Sequence, residues 1–238
     1  MPAPLVSLIV VTKRPAFLPA IMAMMARQDH QTVEVILCLH GHEAASLDAA
    51  PRAALAGARH VLQMPEATSL GACLNAAIAE ARGDFVAKVD DDDIYGRGYL
   101  SEAVRLLREG RGEVVGKAEH FVYLRQTGQF VLRRAGESHQ VRKFVAGSTL
   151  VLPRRLASSL PFPDLRTGED TVFLRTCYEA GVRVYSSSRK NYIYIRRSGG
   201  AGHTWAASDQ FFVDGGQGIP LRRHPDLTSA DLLRLIEA

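Results

Sequence analysis

The sequence predicts an α/β fold that begins with a mostly parallel sheet. Apolar, strand-like runs such as Leu5–Val11 and Val33–Leu39 alternate with helix-like segments in the first half of the chain. The connections are short, which is typical of parallel strands covered by helices. The chain has 238 residues, 47% hydrophobic and 23% charged, an ordinary composition for a globular protein. This length allows one large domain or two small ones.

Hydrophobic periodicity defines the other elements of the first half. The clearest helix spans Ser69–Arg82, because its apolar residues share one face, Ser69 can cap its start and Gly83 follows its end. The remaining predicted elements are a helix over Phe17–Gln28, an Ala-rich helix over Ala44–Leu55 that Pro51 interrupts, a short strand over Ala58–Met64 and a strand over Asp84–Val89.

The second half of the chain has the mixed pattern of an α+β unit. We predict one domain over residues 1–205, with abutting halves 1–95 and 96–205, because no linker separates them, and a helical tail over 206–238. Its predicted elements are a helix over Tyr99–Arg108, strands over Glu113–Leu124 and Gln129–Arg133 joined at Thr127-Gly128, a strand over Ser148–Leu152, a helix over Asp170–Ala180, strands near Arg183–Ser186 and Asn191–Ile195, and a helix over Ser229–Ile236.

Composition and hydropathy limit the cellular compartment and the classes of binding partner that we expect. The longest apolar run is far short of the roughly 20 residues of a membrane span and lacks the basic start of a signal peptide, so we expect a cytoplasmic protein. Cys38, Cys73 and Cys177 stand far apart and are expected to be reduced. The net charge of +4 is mild and scattered, which favours a local anionic ligand over a nucleic acid. The tail after Trp205 is a candidate for peripheral membrane contact or a partner enzyme.

Four consecutive aspartates, Asp90–Asp93, follow the last strand of the first half. Adjacent carboxylates repel one another, and a divalent cation such as Mg²⁺ or Mn²⁺ would relieve that repulsion with oxygen ligands it prefers. Ligands of open parallel sheets bind beyond the carboxyl ends of the strands, where this run lies. The same rule predicts functional residues at Thr12–Arg14 and His40–His42. A solvated acidic turn is the alternative interpretation.

Two later segments are also candidates for chemistry. Gly168-Glu169-Asp170 begins a predicted helix, whose N-terminus favours an ionised carboxylate that can act as a general base. The spacing of Thr167 and Asp170 fits a structural capping box equally well. His203 and Trp205 follow a glycine-rich stretch that would let a loop close over a ligand, with the histidine as a candidate metal ligand; an anchored loop without chemistry is the alternative.

Three single side chains complete the candidates. Asn75, in the clearest helix, is either a nucleotide contact or a solvent-facing residue. Lys88 lies two residues before Asp90 on the same face of a strand, so it can pair with the carboxylates or simply bury its stem. Arg196, with its neighbour Arg197, is the best phosphate candidate among the arginine pairs because it lies beside the glycine-rich stretch.

In this order and spacing, these segments resemble the family 2 glycosyltransferases, which have the GT-A fold. The resemblance covers about Pro4 to Trp205. The similar segments are Ser7–Arg14 (opening strand and nucleotide-contacting turn), Ser69–Asn75 (a segment leading to an Asn near the nucleotide), Asp90–Asp93 (the D-x-D motif), Gly168–Asp170 (the E-D motif) and His203 (a late metal-ligating His).

The resemblance implies a nucleotide-sugar donor, Mn²⁺ or Mg²⁺, and an inverting single displacement that moves one hexosyl unit to a hydroxyl of a glycan or other acceptor. Residues 1–95 would bind the nucleotide and residues 96–205, around Gly147–Thr149, the acceptor. The implied catalytic residues are Asp170, as general base, and Glu169. The implied metal ligands are Asp92, Asp90 and His203, and the implied donor contacts are Thr12, Arg14, His40, Asn75, Asp90 and Arg196.

One position departs from the family pattern. Many members end the second strand with an acidic residue that contacts the base, whereas this chain has His40, so a UDP donor is not implied. Three alternatives stay open. A nucleotidyltransferase would usually have a glycine-rich turn where this chain has Thr12–Pro15. The others are a non-catalytic module that binds a nucleotide or glycan, and a metal-dependent phosphoesterase that uses the aspartates and His203.

Overall fold

The computed structural model describes residues 2–197, 209–214, 218–223 and 227–237. It contains two sheets. The strands are β1 (Val6–Thr12), β2 (Val33–His40), β3 (His60–Met64), β4 (Phe85–Asp90), β5 (Ile94–Tyr95), β6 (Val114–Gly116), β7 (His120–Leu124), β8 (Gln129–Arg133), β9 (Gln140–Val141), β10 (Val151–Pro153), β11 (Val184–Ser186), β12 (Tyr192–Arg196) and β13 (Gly218–Arg223). The helices are α1 (Leu18–Ala26), α2 (Ala49–Ala54), α3 (Leu70–Ala79), α4 (Tyr99–Arg108), α5 (Arg154–Ser159), α6 (Glu169–Glu179), α7 (Asp209–Asp214) and α8 (Ser229–Glu237).

The main sheet has the strand order β3-β2-β1-β4-β10-β6-β11-β9. β1 pairs in parallel with β2 on one side and with β4 on the other, and β3 pairs in parallel with β2. The predicted parallel sheet is therefore confirmed. The sheet then continues into the second half of the chain, where β10 runs antiparallel to β4. The two halves abut through one shared sheet and form a single α/β domain.

The helices of the first half are shorter than their patterns predict. α3 begins as expected, because the Ser69 hydroxyl accepts a hydrogen bond from the Ala72 N–H at 3.0 Å. It ends at Ala79, so Gly83 does not cap it; the Gly83 N–H instead donates to the Ser7 hydroxyl at 2.9 Å. Pro51 lies in the first turn of α2, where a missing N–H leaves no helical hydrogen bond unmade.

Two strands of the second half differ from their predictions. Instead of Ser148–Leu152, the chain forms a 3₁₀ turn at Gly147–Thr149 and then β10. Glu113–Leu124 is two strands, β6 in the main sheet and β7 in the second sheet, because the chain crosses between the sheets at Lys117–Glu119. Apolar residues lie on both sides of this crossing, so a single strand was predicted across it. The hairpin of β7 and β8 is confirmed, and Gly128 takes the left-handed conformation, φ 65°, that its turn requires.

The second sheet has the order β13-β8-β7-β12-β5. The segment beyond residue 206 is not purely helical, since β13 pairs antiparallel with β8. α8 packs on the body of the domain, where Leu232, Leu233 and Ile236 are buried in the same apolar cluster as α1 and α4. Within the described ranges, no helix is both long and apolar enough to cross a membrane.

Candidate active site

The carboxyl ends of β1, β2 and β4 meet at one edge of the main sheet. In the strand register Val11 pairs with Asp90 and Thr12 pairs with Leu39. Thr12, His40 and the aspartates therefore emerge at the same edge, which is where the sequence predicted functional residues. This edge is where open parallel sheets bind their ligands.

Asp91 and Asp92 are paired with cations of the protein itself. The Thr12 hydroxyl and the Arg14 guanidinium both donate hydrogen bonds to Asp91. Arg14 also lies 2.7 Å (Nη1 to Oδ2) from Asp92, and the Arg197 guanidinium approaches the same oxygen at 2.9 Å. Burial raises the pKa of Asp91, although Arg14 and Thr12 act in the opposite direction. Two guanidinium groups thus already relieve much of the repulsion that suggested a cation.

Asp93 faces the interior and ties the acidic run to β12. Its carboxylate accepts hydrogen bonds from the Tyr192 hydroxyl at 2.7 Å and from the Ile195 N–H at 3.0 Å. Burial and repulsion from Asp92 and Asp90 raise the pKa of Asp93. Asp93 is only 1% exposed, so it supports the site from beneath.

Lys88 joins Asp90 to the second acidic motif. Its Nζ lies 2.6 Å from Asp90 Oδ1 and 3.9 Å from Glu169 Oε1. The Lys88 side chain is 6% exposed, whereas that of Asp90 is 39% exposed and therefore open to a ligand. Burial acts to lower the pKa of Lys88, but Asp90, Glu169 and Asp170 outweigh it and raise that pKa. Two motifs that are distant in the sequence therefore converge on one buried ammonium group.

Glu169 is a buried carboxyl with an unusual proton affinity. Burial raises the pKa of Glu169 from 4.5 to about 7, against the opposing charge of Lys88 and with a further contribution from Asp170. Glu169 is 4% exposed. Its protonation state consequently changes near neutral pH.

Asp170 stands at the start of α6 in a position set by two glycines. Gly168 caps the helix in the left-handed conformation, φ 78°, with no side-chain hydrogen bond. The capping box between Thr167 and Asp170 is therefore wrong; Asp170 Oδ1 accepts instead from the Thr171 N–H at 2.6 Å. A Cβ at Gly147 would lie 1.7 Å from Asp170 Oδ2, so the carboxylate rests directly against the Gly147 backbone.

Residues 7–144 match the sequence profile described as Glycosyl transferase family 2. This chain belongs to that family. A search of curated proteins found no match. The family membership and the parallel sheet with its acidic edge agree with the fold and family that the motifs predicted.

Solved structures similar to this family 2 chain include a mannosyltransferase and S. aureus TarS. A mannosyltransferase from Pyrobaculum calidifontis, PcManGT, in complex with GDP-Man and Mn²⁺, has a TM-score of 0.61 at 17% identity, over 82% of this chain and 57% of its own. S. aureus TarS has a TM-score of 0.62 at 20% identity, over 82% of this chain and 37% of its own. S. aureus TarS 1-349 in complex with UDP-GlcNAc has a TM-score of 0.62 at 19% identity, over 94% and 68%.

These identities show the fold alone, and the fold is the predicted GT-A fold. The family 2 chain spans 57% of the length of the mannosyltransferase and 37% of that of TarS. The similarity therefore extends over only part of the chain of each of these two proteins.

Two of the predicted nucleotide contacts in this family 2 chain are occupied within the protein. His40 is 4% exposed, and its Nε2 lies 2.9 Å from the Thr68 carbonyl oxygen, which only accepts. Burial lowers the pKa of His40, and an Nε2 that faces a carbonyl oxygen carries a proton in order to donate to it. The half-buried Asn75 amide donates to the Phe162 carbonyl at 2.8 Å and accepts from the Phe162 N–H at 2.9 Å, so it ties α3 to the segment around Phe162.

Of the arginine pair at the end of β12, the second member faces the acidic run. Arg196 is 1% exposed, with its guanidinium 5.6 Å from the centre of the Phe212 ring. Arg197 instead contacts both a carboxylate oxygen and the main-chain oxygen of Asp92, the latter at 3.2 Å. The sequence predicted this pair and preferred Arg196, because alternation along a strand does not say which side faces the acidic run; the structure pairs Arg197 with Asp92. His203, the third predicted metal ligand, lies outside the described residues.

The carboxylate oxygens of this family 2 site suit a hard divalent cation that the protein coordinates only in part. Asp90 and Asp92 supply the oxygen atoms that Mg²⁺ and Mn²⁺ prefer. Across the described ranges, no three His, Cys, Asp or Glu side chains gather into a complete protein cage. Two carboxylates at an open sheet edge fit a cation that takes its other ligands from phosphate and water.

Proposed function

We propose that this chain transfers one hexosyl unit from a nucleotide-sugar donor to a hydroxyl group of a glycan or other acceptor, with inversion. The observation that carries the proposal is the convergence on Lys88 of Asp90 from β4 and Glu169 from α6. It brings an acidic edge suited to a donor diphosphate beside a carboxylate suited to deprotonate an acceptor. Membership of glycosyl transferase family 2 supports the same reaction class.

Asp170 is the proposed general base. Its carboxylate lies at the start of α6 and rests against Gly147, in the segment expected to line the acceptor pocket. It would accept the proton of the acceptor hydroxyl as that oxygen attacks the anomeric carbon. Lys88 and the buried Glu169 hold this end of α6 beside the acidic run.

The donor diphosphate would lie over the acidic run. Asp90 and Asp92 would hold Mn²⁺ or Mg²⁺, whose charge stabilises the leaving nucleoside diphosphate. Arg14, whose side chain is 28% exposed, is the proposed arginine contact from the turn after β1. Thr12 supports Arg14 from below, because its hydroxyl accepts a hydrogen bond from the Arg14 N–H at 2.9 Å.

The test begins with donor binding and then isolates the base. Thermal unfolding is measured with UDP, GDP and their sugars, with and without Mn²⁺. A ligand at 100 times its Kd stabilises the folded state by about 2.7 kcal/mol, which is easily measured. Transfer is then compared for the wild type, Asp170→Asn and the control Asp164→Asn, whose exposed side chain lies outside the site.

We expect Asp170→Asn to retain the donor Kd and to lose about 100-fold or more of the transfer rate, with the control unchanged. Normal turnover by Asp170→Asn would show that another group is the base. Donor binding without any transfer by the wild type would favour the non-catalytic module. Release of phosphate from simple esters, without an acceptor, would favour the phosphoesterase.

A further inference from the structure

We infer that Arg14 and Arg197 are internal counter-ions of Asp92 that exchange onto the donor diphosphate when a divalent cation takes their place. These two side chains are called the guanidinium pair below. The inference rests on the proposed function, since it assumes that a diphosphate binds at this edge. It assigns Arg197 as a positioning residue for the donor, in a place the sequence had given to Arg196.

The guanidinium pair converges on one atom. Arg14 Nη1 and Arg197 Nη1 lie 2.7 Å and 2.9 Å from the same oxygen, Asp92 Oδ2. Both groups also stand over the ring of Phe17, at 5.3 Å and 4.5 Å from its centre. An oxygen that accepts from two cationic groups cannot hold a divalent ion while both remain, because the three cationic groups would repel one another at contact distance.

The guanidinium pair is open to an incoming anion. The side chains of Arg14 and Arg197 are 28% and 23% exposed, whereas Asp92 beneath them is 8% exposed. Arg14 and Arg197 repel each other, and the charge of Asp92 offsets that repulsion. Planar guanidinium groups match phosphate oxygens, so a diphosphate can replace the carboxylate as their shared anion.

The exchange makes cation and diphosphate depend on each other. A cation alone must displace two guanidinium groups from Asp92, and a diphosphate alone must draw them away from the carboxylate whose charge they offset. When both bind, Asp92 neutralises the cation and the guanidinium pair neutralises the diphosphate. The coupling is reciprocal, so each ligand increases the affinity for the other by the same factor.

The experiment measures Mn²⁺ binding directly, through the electron paramagnetic resonance signal of free Mn²⁺, with and without UDP or GDP. Arg197→Gln removes one guanidinium, and Arg234→Gln, an exposed arginine on α8, is the control for net charge. Without nucleotide, we expect Arg197→Gln to bind Mn²⁺ about tenfold more tightly than the wild type, as loss of one partly buried ion pair allows. The same variant should bind the nucleotide more weakly and show a smaller coupling factor.

Two further variants keep the inference falsifiable. Arg197→Lys keeps the charge without the planar fork and should give intermediate Mn²⁺ affinity, which serves if the glutamine variant fails to fold. Asp92→Asn removes the negative charge that Arg14 and Arg197 share, while Arg14 keeps its contact with Asp91, so the variant should bind UDP or GDP more tightly than the wild type in the absence of Mn²⁺.

Equal or weaker Mn²⁺ binding by Arg197→Gln and Arg197→Lys would overturn the inference, even if nucleotide binding remains cation-dependent. Weaker nucleotide binding by Asp92→Asn without Mn²⁺ would also overturn it. A wild type that binds no nucleotide under any condition would instead contradict the proposed function, and the two failures are therefore distinguishable.

Discussion

The buried carboxyl of Glu169 makes the stability of the protein depend on pH. Its pKa is about 7 in the folded chain, against 4.5 for an ordinary glutamate in the unfolded chain. Between these values the unfolded chain has released the proton and the folded chain keeps it. The free energy of unfolding therefore falls as the pH rises, by about 1.4 kcal/mol per pH unit. The stabilisation is complete below pH 4.5 and is lost by about pH 7, a total of about 3 kcal/mol.

Glu169→Gln removes this dependence, because an amide resembles the protonated carboxyl at every pH. We expect the variant to match the wild type near pH 4.5 and to be more stable by about 3 kcal/mol at pH 8. Lys88 keeps its closer partner Asp90, at 2.6 Å, so the substitution leaves no buried ammonium without a counter-ion.

The assay is urea unfolding followed by circular dichroism, at intervals from about pH 5 to 8, with stability taken by linear extrapolation. Glu179→Gln, an exposed position at the other end of the same helix, is the matched control and should shift stability by less than about 0.5 kcal/mol at each pH. A stability difference between Glu169→Gln and the wild type that stays constant across this range would refute the reasoning.

Two further substitutions test the contact between Gly147 and Asp170 and the hydrogen bonds between Asn75 and Phe162. Gly147→Ala places a Cβ against the Asp170 carboxylate. We expect it to lower the free energy of unfolding by about 1–3 kcal/mol through overpacking. We also expect it to raise the activation free energy of transfer by at least the same amount, with the nucleotide Kd unchanged. A normal transfer rate would show that Asp170 need not rest against Gly147. Asn75→Ala leaves both main-chain groups of Phe162 without their partner, which should cost about 1–3 kcal/mol in urea unfolding and leave the nucleotide Kd unchanged. A weakened Kd at full stability would instead restore Asn75 as a nucleotide contact.

The elements that the sequence predicted best are those whose pattern is local. α4 has the predicted bounds, and β1, β2 and β4 lie within two residues of theirs. The errors arose where the chain changes partners, as between β6 and β7, which belong to different sheets although the apolar pattern runs through both.

The same division holds for the candidate site. The acidic run and the E-D motif were identified, because carboxylates at a strand end and at a helix start are visible in a short window of residues. Within the arginine pair the sequence favoured Arg196, whereas the structure pairs Arg197 with Asp92, since the direction of a side chain on a short strand depends on which sheet face is covered. The capping box predicted Thr167 as the N-cap of α6, whereas the structure has Gly168 at that position in the left-handed conformation.

The amino-acid order alone was enough to predict the parallel sheet, its acidic edge and the family, because periodicity and strand-end chemistry are properties of neighbouring residues. Which cation neutralises which carboxylate was decided by the folded chain. Lys88 pairs with Asp90 and approaches Glu169, and Arg14 and Arg197 meet at Asp92. Most of these contacts join segments far apart in the sequence. Their strength comes from distance and burial, which exist only once the strands and helices have packed.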